Sequence, residues 1–239
     1  ARQAGIPVWA QCVAATVVFG GMSLGAKTLL LPGLDHDPQA ERSRQQRRRR
    51  LSAGVVMRLA ALGLLGASAG LMEDTGSTWG AIYLDRQFEV IPFVAGMAFV
   101  GLQGAQLIGR FTGDALVSRI GPRFAVVQGG IIAFLGMGLS LIWPSPTTAI
   151  LGFACVGWGV ATAIPSAMHA ADELPDMNHG DGLMIVTWVM RIGFFAGPPL
   201  IGALSEAADL RLALWVVPAF AVVILALSPS LGRSVGGRR

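Results

Sequence analysis

Phe124-Ala125-Val126-Val127-Gln128-Gly129-Gly130-Ile131-Ile132-Ala133-Phe134-Leu135-Gly136-Met137-Gly138-Leu139-Ser140-Leu141-Ile142-Trp143-Pro144-Ser145-Pro146 contains no charged side chain. A bilayer core of about 30 Å needs roughly 20 apolar residues in helix, so 124–143 is long enough to cross it. Trp143-Pro144-Ser145-Pro146 then reads as a tight turn with an interfacial tryptophan, and a second apolar block follows at 147–168. Similar blocks occupy 6–31, 52–84, 90–111, 183–205 and 211–229. They are too long, and alternate too little, for a transmembrane β-barrel. The fold class expected is an all-α membrane protein with seven spanning helices.

Composition agrees. Charged residues make up 13% of the chain, 53% is hydrophobic, and the mean hydropathy is +0.60. Soluble domains carry roughly 25% charged residues. The 32 glycines suit helices that pack backbone against backbone in lipid. A net charge of +4 does not imply nucleic acid, because the basic residues sit between apolar blocks and at chain ends, where they flank a membrane. Cys12 and Cys155 both fall in apolar blocks and read as small buried residues. His169 and His179 flank a loop without a ligand cluster, so no metal or cofactor is expected. The first block is too long for a signal peptide and is followed by further spans. The chain opens on Ala1 rather than methionine, which reads as a fragment or a processed chain.

Orientation follows from Lys and Arg. The linker 32–51 holds Arg42, Arg44 and Arg47 to Arg50. Placing it in the cytoplasm puts Arg110, Arg119, Arg123, Arg233, Arg238 and Arg239 on the same side, leaving Arg2, Arg86 and Arg211 opposite, as the positive-inside rule asks. The acidic loop 170–181 runs against this trend, but acids weigh little in the rule. The expected location is a bacterial plasma (inner) membrane, with linker and C-terminus cytoplasmic.

The connection expected between the third and fourth blocks runs from Gly109 to Arg123 and contains Arg110, Gly113, Asp114, Arg119 and Gly121. Glycines suit a tight reversal, and exposed arginines can pair with acids or helix ends in one conformation and release them in another. A plain basic loop is the alternative. This stretch resembles the loop signature of the major facilitator superfamily, Gly-x-x-x-Asp-Arg-x-Gly-x-Arg/Lys. Arg119, Gly121 and Arg123 match, while Ser118 stands for the acid and Asp114 for the opening glycine. Met72 to Leu84 resembles the seventh helix of a bacterial subfamily with a Glu-x4-Asp-Trp-Ser-Ala-x-Tyr-Leu pattern. Glu73, Trp79, Ala81, Tyr83 and Leu84 match it, and Thr78 replaces the Asp. Gly193 to Gly202 is similar to the eleventh helix of the same carriers. The resemblance implies helices six to twelve of such a carrier. Residues 1–31 would hold the last helix of an N-terminal half, 32–51 the linker, 52–232 a six-helix C-terminal half, and 233–239 a basic tail. The partners implied are a small-molecule solute, the lipid bilayer and the missing N-terminal half.

An ionisable side chain at a helix centre costs at least about 2.5–3.5 kcal/mol in a bilayer. Glu73 and Asp74 lie roughly 22 Å along their helix from Arg58, beside Thr75-Gly76-Ser77-Thr78, poor helix propagators where the span is expected to break or bend. They either line a water-filled cavity or end a shorter helix at the outer interface. Arg191 lies roughly 10 Å from its cytoplasmic end, and either binds a polar or anionic solute group or snorkels to the interface. The two depths put Glu73 and Arg191 about 12 Å apart, too far for a salt bridge. Trp79 and Tyr83 read as cavity walls or belt aromatics. Gln103 and Gln106 share a helix face and either line the pathway or bond a neighbouring helix. Gly66/Gly70, Gly109/Gly113 and Gly193/Gly197 carry packing spacings.

The function expected is secondary active transport by alternating access, coupled to an ion gradient, with a proton as a plausible coupling ion. A membrane-embedded enzyme is the alternative: Gly21-Met22-Ser23 superficially resembles a nucleophile turn, but no span holds a histidine to activate Ser23. A seven-helix receptor is the other alternative, without a lysine in the last block for a retinal linkage.

Overall fold

In the computed structural model, the described residues are 13, 16–22, 25, 52–174, 177 and 180–232. The linker 32–51, the tail 233–239, Cys12, Ser23, Lys27, His179 and most of the first apolar block lie outside them. Residues 1–48 and 49–239 form two compact units. In the first, 16–22 are helical. All that follows concerns the second.

Ser52 opens α1 (Ala53–Phe88) by accepting the Val55 N–H, which satisfies one of the donors a helix start leaves free. The helix runs for 36 residues without interruption. The expected break at 75–78 is absent. Gly76 and Gly80 lie against Leu102, Phe153 and Ala98, so tertiary contact outweighs weak propensity there. Glu89, at φ 51°, turns the chain into α2 (Pro92–Ile120). Proline at N1 suits a helix start because its missing N–H is not needed. Gly121, at φ 84°, makes the whole connection to α3 (Pro122–Ile142). The loop expected over 109–123 is therefore corrected: Gly109 to Arg119 are helical and the reversal is a single glycine. Ser145 and Thr148 form a reciprocal capping box that starts α4 (Pro146–Val160), so the expected turn at 143–146 has a defined chemistry. A turn at Ala161–Thr162 separates α4 from α5 (Ala163–Asp172). α6 (Asp181–Ala207) follows, then α7 (Leu210–Ala213), α8 (Val216–Leu227) and a 3-10 turn, Ser228–Leu231.

Among the described residues, six segments have the length and composition to cross a membrane: α1, α2, α3, α4 with α5, α6, and α7 through the 3-10 turn. Phe93, Phe111, Trp188 and Phe195 point outward, an arrangement suited to lipid or to another apolar protein surface. The chain is a multi-pass membrane protein built as an all-α bundle.

α1 is the central strut, packed on α2, α4, α5, α6 and α8. Its seam with α6 is lined by glycine. A methyl at Gly66 would meet Met190 at 2.6 Å, one at Gly70 would meet Phe194 at 2.7 Å, and one at Gly193 would meet Ala67. Without a hydrophobic driving force between helices in lipid, such close van der Waals contact is what holds them. The pairings rise together along both chains, so α1 and α6 run parallel. Arg58, Arg119 and Arg123 share the end where α1 begins and α2 finishes, called the basic end below. At the opposite end Arg211 donates Nε and Nη2 to the Leu141 carbonyl at 2.9 and 2.6 Å, closing the last turn of α3 with a cation. Arg58 donates to the Ser230 carbonyl at 2.9 Å in the same manner. Replacing Arg211 with Gln is expected to cost about 1–2 kcal/mol, seen as a lower melting temperature in detergent, while Arg86→Gln at the exposed end of α1 leaves it unchanged.

Candidate functional site

The antiparallel register of α1 and α2 decides which polar side chains meet. A methyl on Gly80 would lie 3.1 Å from the Ala98 Cβ, and Gln103 Nε2 donates to Ser77 Oγ at 3.2 Å. The Ser77 hydroxyl in turn donates to the Glu73 carbonyl at 2.9 Å. One and two turns further, Arg110 Nη2 stands 3.7 Å from Glu73 Oε2. Arg110 is ten residues before the end of α2, about 15 Å inside the helix, not in a connecting loop. Its side chain is 55% exposed on this chain and that of Glu73 is 18% exposed. The ion pair is longer than a hydrogen bond, so the guanidinium keeps donors for something else.

Asp74 turns the other way. Its Oδ2 is buried without a partner and faces α6 near Gly197. Thr75 Oγ1, Trp79 Nε1, Tyr83 OH and Gln106 Nε2 share that condition among the described residues. Buried polar atoms are nearly always satisfied, and these five without a protein partner lie on the far half of α1 and on α2. Tyr83 is 1% exposed and meets Phe88 edge-on with ring centroids 5.8 Å apart. On this chain it packs within the core. Trp79 lies along α6 at Gly202. Gln103 bonds a neighbouring helix through Ser77.

Arg191 is exposed on α6, with Trp188, Ile192 and Phe195 around it. Among the described residues it has no hydrogen bond or ion pair. The seam places it level with Gly66 and Ala67 of α1, about 9 Å nearer the basic end than Glu73. The carboxylate and this guanidinium sit at different heights, and Glu73 has Arg110 instead. Asp114, Arg119 and Arg123 form no ion pair among the described residues.

From Arg110 a cavity of about 920 Å³ opens toward the basic end between α2, the α4–α5 break, α5 and the Leu231–Gly232 segment. Arg58, Asp114, Thr162, Ser166, His169 and Glu173 also line it. The sequence reading missed the Glu73–Arg110 pair and this cavity. The available signal was that no helix breaker stands between Pro92 and Gly121 except glycines, which serve as contact points here. A methyl at Gly109 would sit 2.6 Å from the Ala161 Cβ, and one at Gly113 would sit 2.9 Å from Thr162 Cγ2. No group of described residues has the composition of a metal site.

A family model described as Major Facilitator Superfamily matches residues 51–233. Membrane protein MosC of Rhizobium meliloti is 29% identical over 191 residues, covering 79% of this chain and 47% of that protein. An uncharacterized transporter of Sinorhizobium fredii is 29% identical over 71% of this chain and 45% of its own. An uncharacterized MFS-type transporter of Yersinia pestis is 26% identical over 68% of this chain and 42% of its own. The chain thus spans about half the length of the curated relatives it matches.

Proposed function

The chain belongs to the major facilitator superfamily, and from that premise we propose that it is part of a carrier moving a small solute by alternating access. An ion gradient, with the proton as coupling ion, drives the cycle. The observation that carries this reading is the Glu73–Arg110 pair at 3.7 Å, deep in a bundle that faces lipid. Ionisable groups at that depth are costly and mark solute or proton pathways. A loose pair on two helices that separate and approach as the bundle rocks offers two states: a bound carboxylate, and a protonated one that releases its guanidinium.

The basic end faces the cytoplasm of a bacterial inner membrane, following the placement of Arg and Lys. Residues 52–232 form one half of the carrier, with 32–51 as linker and 233–239 as tail. Because a carrier of this type works through a cavity between two halves, a second half completes the pathway. Arg191 supplies a fixed cation to that cavity, and Gln103, Gln106, Asp74 and Trp79 line it as α1 moves. The turn at Gly121, with Asp114, Arg119 and Arg123, serves the cytoplasmic gate.

The test is solute flux and pH change in proteoliposomes holding the carrier polypeptide that contains this chain. Uptake driven by an imposed proton gradient is expected, and Glu73→Gln abolishes the drive while leaving downhill exchange. Arg191→Leu is expected to reduce transport at least about tenfold without loss of membrane insertion. Flux indifferent to the gradient in both the parent and Glu73→Gln would rule out proton coupling, and unchanged uptake in Arg191→Leu would remove that residue from the pathway.

A further inference from the structure

The α4–α5 break is the least explained feature of the bundle. A span from Pro146 to Asp172 is interrupted at Ala161–Thr162. Pro165, three residues past the break, has no N–H to return to the Ala161 carbonyl. The Thr162 N–H finds no backbone carbonyl among the described residues. Broken helices inside a membrane are tolerated where they line a cavity, and this one does: Ala161, Thr162, Pro165 and Ser166 all border the space of about 920 Å³.

Two hydroxyl side chains at the break border the cavity. Thr162 is 7% exposed and Ser166 is 6% exposed, so both are more than nine-tenths buried. Neither hydroxyl has a hydrogen-bond partner among the described residues. They stand four residues apart, on one face. The first turn of α5 presents the positive end of its dipole at the same place. At the edge of the space, Gly109 and Gly113 bring α2 into contact with Ala161 and Thr162. Arg110 beside them carries a guanidinium that makes no hydrogen bond among the described residues.

We infer that the α4–α5 break binds the anionic head group, carboxylate or phosphate, of the transported solute, with Thr162 and Ser166 donating from one side and Arg110 from the other. This rests on the transport reading above and names its substrate class. The other charged groups of the cavity are arranged consistently with it. Glu173 caps the far end of α5, about 16 Å along the axis from Thr162, and His169 stands one turn before it. Asp114 is one turn from Arg110 toward the mouth, and Arg58 is tied to the Ser230 carbonyl. The acids therefore sit at the entrance and the donors at the inner end. Glu73 occupies Arg110 while the site is empty, and an incoming anion competes with it.

The experiment is ligand-induced stabilisation of the full purified chain in detergent. The probes are inorganic phosphate and succinate, with succinamide as the uncharged control at matched ionic strength. At least one of the two anions is expected to raise the melting temperature, the larger shift identifying the head-group class, and succinamide is not. Arg110→Gln and Thr162→Val each weaken anion binding at least about tenfold. Glu73→Gln tightens it, because the guanidinium loses its competitor, a gain that a merely structural role would not produce. Thr162→Val keeps the shape of a side chain without a partner, so its folding is secure should Arg110→Gln misfold. An equal shift in Thr162→Val and the parent, or no shift with either anion, overturns the inference. A carrier found to move only cationic or uncharged solutes overturns it too, while leaving transport standing. Anion binding in a carrier that moves nothing sinks the transport reading alone.

Discussion

Arg110→Leu is expected to stop coupled transport, with a fall of at least about a hundredfold, and to destabilise the bundle by about 1–3 kcal/mol. The deletion leaves the Glu73 carboxylate, 18% exposed, without its counter-charge. An orphaned charge costs more than the pair was worth. The figure sits below the range for fully buried pairs because Arg110 is half exposed and partly screened. Removing both charges, as in Glu73→Gln with Arg110→Gln, is expected to restore stability to within about 0.5 kcal/mol of the parent, since neither partner is then stranded. Proton-driven transport is not expected to return in the double variant, because the proposed coupling assigns proton uptake to Glu73. Thermal unfolding in detergent and proton-driven flux separate the two effects. A double variant as unstable as Arg110→Leu would show that the pair is not coupled.

The second large effect concerns packing. Gly129 of α3 and Gly159 of α4 meet backbone to backbone, and a side chain on either would enter the carbonyl of the other. Gly129→Leu is expected to cost about 3 kcal/mol or more, because overpacking against main chain cannot be relieved by a rotamer change. Gly104→Leu on α2, at a glycine outside the buried class with no atom within 4 Å of the added Cβ, is expected to change stability by less than about 0.5 kcal/mol. The two differ by position alone, so the contrast in melting temperature and in elution as a single species measures the seam. Equal behaviour would dissolve the claim that glycine sets the helix spacing.

Much of the bundle was legible because lipid simplifies the code. An uncharged run from Phe124 to Ile142 has one stable answer in hydrocarbon, a helix with every backbone group paired internally. Trp143 to Pro146 mark a reversal by local chemistry alone. Local chemistry misled at two places. Thr75 to Thr78 are poor helix formers, yet α1 passes through them because Gly76 and Gly80 buy close contact with α2 and α4. Gly109 and Gly113 read as loop residues, and Arg110 was carried with them to the surface. Whether a glycine turns a chain or lets another helix approach is settled by a neighbour far away in sequence. The same holds for the candidate site: Glu73 and Arg191 stand out singly as charges in apolar runs, whereas the pairing of Glu73 with Arg110 requires the α1–α2 register.

The unbroken course of α1 has a mechanical consequence. Its 36 residues make a rod about 54 Å long in a hydrocarbon layer of about 30 Å. A rigid rod pivoting at mid-membrane is a lever arm: a tilt of about 10° swings its tips about 9 Å relative to each other, in opposite directions. A hinge at 75–78 would have let the two ends move separately. Without one, a tilt that carries one end of α1 inward carries the other end outward, which is the coupling of the two membrane faces that the proposed alternating access requires.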